Sequence, residues 1–171
     1  MTVYVVGGPA GTGKTTIGER LAATLKCPFV EGDSLHPQAN IDKMGAGHPL
    51  TDDDRWGWLE QVALVSAKAA HEAPSDTAVV LCLILKKSYR DWIRQKLPAT
   101  QFEMVFLYCL YDELVQRVAG RQGHFMKSDM VKSQYDIMEV PHGEDHALPV
   151  DTTGKSPDVI MTEIEKAYSL N

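Results

Sequence analysis

The eight residues Gly8-Pro9-Ala10-Gly11-Thr12-Gly13-Lys14-Thr15 restrict the folds open to this chain more than any other feature. They match the pattern G-x-x-x-x-G-K-[ST] in full. Such a loop works between a strand and a helix, where its backbone amides turn inward around phosphate oxygens and the helix amino end adds roughly half a positive charge. The flanking sequence supplies that context. Val3-Tyr4-Val5-Val6 is a β-branched run that breaks at Gly7-Gly8, and Ile17, Leu21 and Leu25 recur at four-residue intervals, which predicts an amphipathic helix over 14–25. Gly8, Ala10, Gly11, Thr12, Gly13, Lys14, Thr15 and Thr16 are therefore the candidate nucleotide-binding residues. Lys14 is expected to reach the β- and γ-phosphates, and the Thr15 hydroxyl to ligate magnesium.

The rest of the chain continues the alternation of strand and helix. A short strand is expected at 28–31, followed by a segment rich in Gly, Pro and His over 32–50 that reads as a loop with one helical turn near 40–44. Thr51 and Asp54 form an acidic variant of the capping box, opening a long helix over 52–73. The nearly continuous apolar run 78–85 reads as a central parallel strand covered on both faces. A helix over 88–96 is stopped by Pro98, a strand follows at 103–110, then helices at 112–121 and 130–138, a strand at 147–150, and a closing helix over 157–170 with Pro157 in its first turn. This pattern predicts one α/β domain over 1–171, with a five-stranded parallel sheet and helices on both faces. Ligands in such sheets bind beyond the carboxyl ends of the strands, so 7–15, 32–36, 86–90 and the stretch after 110 are expected to face one crevice.

Charge and composition exclude several classes of function. A net charge of -6 with scattered Lys and Arg argues against a nucleic-acid partner. No run approaches the roughly 20 apolar residues of a membrane span, and the apolar stretch at 3–6 is too short for a signal-peptide core, so the expected compartment is the cytoplasm. The three cysteines form no Cys-x-x-Cys pair. Asp54-Arg55-Trp56-Gly57 is an Asp-x-x-Gly at a helix start, away from the strand end where a GTPase switch would carry it. The apolar strand before Lys86-Lys87 ends without the acid expected of an assembly ATPase. A kinase is left, with a nonenzymatic nucleotide-binding module as the alternative. Asp33, at the carboxyl end of the second strand, is placed to orient an acceptor hydroxyl or take its proton.

Longer words in the sequence resemble the gluconokinase family of bacteria and eukaryotes. They are Gly32-Asp33-Ser34-Leu35-His36-Pro37, Asn40-Ile41-Asp42-Lys43-Met44 and the segment from Pro49-Leu50-Thr51-Asp52-Asp53-Asp54-Arg55 to Trp56-Gly57-Trp58-Leu59. Lys86-Lys87-Ser88-Tyr89-Arg90-Asp91 and Gly123-His124-Phe125-Met126 follow in order. The resemblance implies a nucleoside-monophosphate-kinase-like three-layer P-loop fold with a mobile lid at about 121–130, ATP and Mg2+ as the donor system, and phosphorylation of D-gluconate at its 6-hydroxyl. It implies catalytic roles for Asp33, Lys14, Arg117 and Arg121, the two arginines acting from the lid. Substrate contacts are implied for Asp33, His36, Lys43, Arg55, Lys86, Arg90, His124 and Gln134, with Arg55 and Arg90 as guanidinium forks for the sugar-acid carboxylate. Trp56 and Trp58 are expected to anchor the long helix. Homodimers are common in the family, so a homodimer is an expectation.

Shikimate kinase is the rival on fold grounds. Its usual Asp-x-Asp at the second strand and Gly-Gly pair after the third are both missing here. One departure from the gluconokinase pattern lies at Cys82-Leu83-Ile84-Leu85-Lys86, where the family usually has Ser-Ala in place of Leu83-Ile84. A small hydroxyl facing the nucleotide crevice is thereby lost.

Overall fold

The computed structural model describes residues 1–119 and 128–170, with side chains in the second segment from Val131 onward. Strands β1 (Thr2–Gly7), β2 (Phe29–Glu31), β3 (Thr77–Leu81), β4 (Gln101–Tyr108) and β5 (Ala147–Asp151) form one sheet in the order β2-β3-β1-β4-β5. Every pairing is parallel. The helices are α1 (Lys14–Leu25), α2 (Gln38–Gly45), α3 (Asp52–Glu72), α4 (Lys87–Lys96), α5 (Tyr111–Ala119), α6 (Ser128–Ile137) and α7 (Pro157–Ala167).

Strand periodicity divides the core into two layers. Val3, Val5, Ala78, Val80, Phe102, Met104 and Phe106 face α3 and α4, meeting Trp58, Leu59, Val62, Ala63, Tyr89 and Ile93. Their neighbours Val6, Val79, Leu81, Val105, Leu107 and Val150 face α1 and α7, meeting Ile17, Leu21, Ile160, Met161 and Ile164. Successive strand side chains point to opposite faces, so a strand buried on both sides is apolar throughout. A smaller cluster of Cys109, Leu114, Val118 and Val131 joins α5 to α6 above the carboxyl end of β4.

The expected strand over 78–85 is shorter than its apolar run. β3 ends at Leu81, and Cys82 to Lys86 forms a tight buried connection in which the Ile84 and Leu85 amides donate to the Cys82 and Leu83 carbonyls. An apolar run reports burial and leaves open whether the buried backbone is a strand or a turn. The single helical turn expected near 40–44 is a two-turn helix, α2. The predicted capping box at Thr51 is present: the Thr51 hydroxyl accepts from the Asp54 amide, and the Asp54 carboxylate accepts from the Thr51 amide. Most of the stretch expected to form a lid, 121–130, lies outside the described residues.

Candidate active site

Three loops meet at the carboxyl edge of the sheet, and the first follows β1, the central strand. Gly8, Gly11 and Gly13 all take positive φ, at 124°, 89° and 85°. A Cβ on Gly8 would stand 1.9 Å from the Leu107 carbonyl oxygen, so the loop passes β4 with no room for a side chain. Gly13 leads directly into α1, whose first turn carries Lys14, Thr15 and Thr16. The Lys14 ammonium reaches back to the Gly8 carbonyl at 3.0 Å, and the Thr12 hydroxyl donates to the Pro9 carbonyl at 2.9 Å. Thr15 and Thr16 are both exposed, as access of a metal ion to the hydroxyl requires.

The second loop follows β2. Gly32–Leu35 is a turn of 3₁₀ helix whose Glu31 side chain caps the Asp33 amide, leaving Asp33 exposed at the strand end. A Cβ on Gly32 would lie 1.9 Å from the Leu81 carbonyl oxygen, and the Gly32 carbonyl accepts from the Trp58 indole at 2.8 Å. Trp58 thus anchors α3 as expected and also supports His36, whose ring stacks on it at 3.9 Å. Asn40 donates its amide nitrogen to His36 Nδ1 at 3.1 Å and to the Asp54 carbonyl at 2.8 Å. An amide nitrogen can only donate, so Nδ1 accepts and the imidazole proton sits on Nε2. Burial pushes the His36 imidazole down from its ordinary value; nearby Asp33 opposes this and Arg55 reinforces it.

The third loop, Cys82 to Lys86, brings a polar chain to the same crevice. Arg55 Nη1 donates to the Tyr89 hydroxyl at 2.6 Å, Tyr89 donates to Asp52, and Asp52 accepts both contacts of the Lys86 ammonium at 3.0 and 3.1 Å. The Tyr89 ring also lies beneath both cations, 5.3 Å from Arg55 and 5.6 Å from Lys86. Burial, with help from Asp52, pushes the Tyr89 phenol up to about 12, so it stays a donor at every ordinary pH. The Tyr89 hydroxyl, followed by Lys86, holds the Asp52 carboxyl below its ordinary value. Arg55 is buried and its Nε has no partner among the described residues.

The loops converge around the buried Cys82 thiol. Burial raises its pKa, Asp33 raises it further, and Lys14 and Arg55 oppose the rise. The loops pack closely here: a Cβ on Gly7 would lie 2.4 Å from the Cys82 carbonyl oxygen, as one on Gly32 would meet that of Leu81. Lys14 and Asp33 thus follow β1 and β2 at one edge of the sheet, Arg55 is joined to Lys86 through Tyr89 and Asp52, and His36 stacks on Trp58 of the helix that carries Arg55.

Four expected residues take other positions. Arg90 is fully buried: Nε and Nη2 form a bidentate pair with Glu144 at 2.9 Å each, and Nη1 donates to the Ile84 carbonyl at 2.8 Å. Its fork therefore ties the loop before β5 to the Cys82–Lys86 connection and is unavailable to a substrate carboxylate. Burial alone would push the Glu144 carboxyl up, but Arg90 and Arg94 outweigh it and hold it below its ordinary value. Lys43 pairs with Asp54 at 2.7 Å, which makes it a brace between α2 and the capping box. Arg117 lies on α5 and donates to the Gly11 carbonyl, Thr152 and Glu113 at 3.0 to 3.4 Å, fastening the phosphate loop to the turn after β5 instead of acting from a lid. Gln134 is buried on α6 and accepts the Ala10 amide at 2.8 Å, which ties it to the phosphate loop. Arg121 and His124 lie outside the described residues.

The connections assigned no role from sequence are Tyr89, Asp52 and Glu144. Asp52 and Arg55 are spaced i, i+3 on α3, and Lys86 and Tyr89 are spaced i, i+3 at the start of α4, which is the pattern of neighbours on one helix face. Glu144 carries no comparable local signal. At the family departure, Ile84 is fully buried and lies over Gly7, while Leu83 is partly buried against the core. No described helix is long and apolar enough to cross a membrane, and the described residues hold no cluster of three metal-ligating side chains.

Residues 10–169 match the family model described as shikimate kinase. The chain is 47% identical over 144 residues to a probable gluconokinase of Saccharomyces cerevisiae, covering 81% of this chain and 75% of that one. It is 42% identical over 173 residues to a gluconokinase of Gluconobacter oxydans, covering 96% and 89%. Among solved structures, a gluconokinase from Sinorhizobium meliloti superposes with a TM-score of 0.83 at 38% identity, covering 99% of this chain and 93% of that one.

Proposed function

Because the chain belongs to the gluconokinase family, on the domain type of the shikimate kinase model, we propose how its own residues carry out the ATP-dependent phosphorylation of gluconate. The observation that carries the proposal is that the loops bearing Lys14 and Asp33 pack at the end of β3, where Lys86 is tied to Arg55 through Tyr89 and Asp52.

In this reading the loop from Gly11 to Thr15 receives the phosphates of ATP, and Lys14 leaves Gly8 to follow the β- and γ-oxygens. Thr15, exposed in the first turn of α1, offers the hard oxygen that magnesium prefers. Magnesium bound there supplies charge neutralisation on the phosphates. On the β2 and β3 side, Arg55 and Lys86 attract the gluconate carboxylate, and Asp33 holds the 6-hydroxyl towards the γ-phosphorus. The hydroxyl oxygen forms the new bond to phosphorus, the bond from the γ-phosphorus to the bridging oxygen breaks with its electron pair going to ADP, and the hydroxyl proton passes to Asp33. His36 presents Nε2–H to a substrate oxygen. On the β4 and β5 side, Arg117 and the turn after β5 support the nucleotide end. The proposal includes one kinase domain over 1–171, a cytoplasmic location and a homodimer.

An ADP-release assay with ATP and magnesium, comparing D-gluconate with shikimate, glycerate, glucose and nucleoside monophosphates, tests the reaction. Gluconate-selective turnover is expected; shikimate-selective turnover would refute it. Asp33→Asn should lower kcat by a factor of about 100 or more, the usual scale of a positioned base, while ATP affinity persists. Equal turnover in both proteins would exclude a role for Asp33.

A further inference from the structure

The phosphate loop is held from outside as well as from within β1 and α1. Its outer shoulder is Pro9-Ala10-Gly11. Proline has no amide hydrogen, so Ala10 supplies the shoulder's first backbone donor. That donor reaches Gln134 Oε1 at 2.8 Å, across 124 positions of sequence. Gln134 is 6% exposed, on the α6 face beside Val131. The next residue of the shoulder is held from α5: the Gly11 carbonyl accepts from Arg117, and a Cβ on Gly11 would meet Val118 at 2.9 Å and Leu114 at 3.2 Å. Both helices belong to the same small apolar cluster.

A loop with three positive-φ glycines has many conformations open to it, and only a few point successive amides at one anion. Fixing the outer shoulder removes much of that freedom before the ligand arrives, which is the preorganisation that raises affinity. We infer that Gln134 is a positioning residue for nucleotide binding, locking the phosphate loop through the Ala10 amide, and makes no contact with the sugar acid. This rests on reading Gly8 to Thr15 as the nucleotide site, and is independent of which acceptor is phosphorylated.

The two roles separate cleanly in binding data. Gln134→Met keeps the length of the side chain and removes the acceptor. Titration calorimetry of the full chain with ATP and magnesium, in the absence of gluconate, should show ATP binding weakened about five- to tenfold. The KM for ATP should rise in parallel and the KM for gluconate should stay within about twofold. Hydrogen exchange at the Ala10 amide should accelerate in the Met variant and stay slow in Gln134→Glu, which retains an acceptor oxygen. An ATP affinity within about twofold of the parent, or a rise confined to the gluconate KM, would overturn the inference. If Gln134→Met fails to fold, Gln134→Asn, one methylene too short to reach Ala10, is judged by the same criteria. Because nucleotide affinity is read without acceptor, a parent protein that binds ATP and ignores gluconate would refute the proposed reaction and leave the role of Gln134 to be decided by these titrations.

Discussion

Replacing Tyr89 with Phe isolates a single oxygen atom that links the two cations of the acceptor side. The ring, its packing against Trp56 and its position beneath Arg55 and Lys86 are all retained by Phe. What disappears is the acceptor for Arg55 Nη1 at 2.6 Å and the donor to Asp52. Arg55 Nε already lacks a partner among the described residues, so the variant leaves a second buried guanidinium nitrogen unsatisfied. A hydrogen bond to a charged group contributes about 1.5–3 kcal/mol, and at about 2–4 °C per kcal/mol for a chain of this size, Tyr89→Phe should melt roughly 3–12 °C lower. Loss of the link should also raise the KM for gluconate by about tenfold with the KM for ATP unchanged. The pH dependence has a definite sign. Asp52 is held below its ordinary value first by the Tyr89 hydroxyl and then by Lys86, so its contribution is present above the unfolded pKa and lost as pH falls through the lower folded one. Without the phenol the folded pKa moves up towards the unfolded one, so Asp52 contributes less above that range, and the acid limb of the stability profile is shallower and ends at higher pH. Calorimetric melts from pH 3 to 8 and steady-state kinetics test both halves. A melting point within about 1 °C of the parent together with an unchanged gluconate KM would refute the argument.

Three further outcomes follow from the same geometry. Glu144→Ala leaves Arg90 buried without its bidentate partner; breaking such a pair costs about 3–5 kcal/mol, so a melting point lower by at least 6 °C or so is expected in a thermal scan. Gly8→Ala should abolish ATP binding, because φ is 124° and the new Cβ would meet the Leu107 carbonyl, whereas Gly57→Ala, inside α3 with open space around it, should stabilise by roughly 0.5–1 kcal/mol in denaturant melts. His36 favours its neutral form in the fold because it is buried, while the unfolded chain takes up the proton near pH ~6.5, so stability should decline as pH drops through that value and His36→Gln should flatten the decline.

The features legible in the sequence are those whose physics is local. The phosphate loop announces itself because three glycines and a lysine must be adjacent in sequence to wrap one anion, and the capping box at Thr51 because its partners are three residues apart. The alternation of apolar strands with amphipathic helices fixes the parallel sheet, since each period reports which face is buried. β3 marks the limit of that signal: Ile84 and Leu85 are as buried as Val79 and Val80, yet they belong to a turn.

Side-chain roles in the crevice follow the same division. Asp33 is legible because the ends of parallel strands face the ligand, a property of the backbone. Arg55 and Arg90 look alike in sequence, each a basic residue near the amino end of a helix at the crevice, and they separate only through a distant partner. Glu144 sits 54 positions beyond Arg90 and takes its fork, while Arg55 faces a phenol and keeps one buried nitrogen unpartnered among the described residues. Whether an arginine binds a substrate or holds two loops together is therefore decided by where the nearest carboxylate lies in space. The same holds for Lys43 beside Asp54, and for Gln134, whose acceptor oxygen is aligned with Ala10 only after α6 has packed against α5.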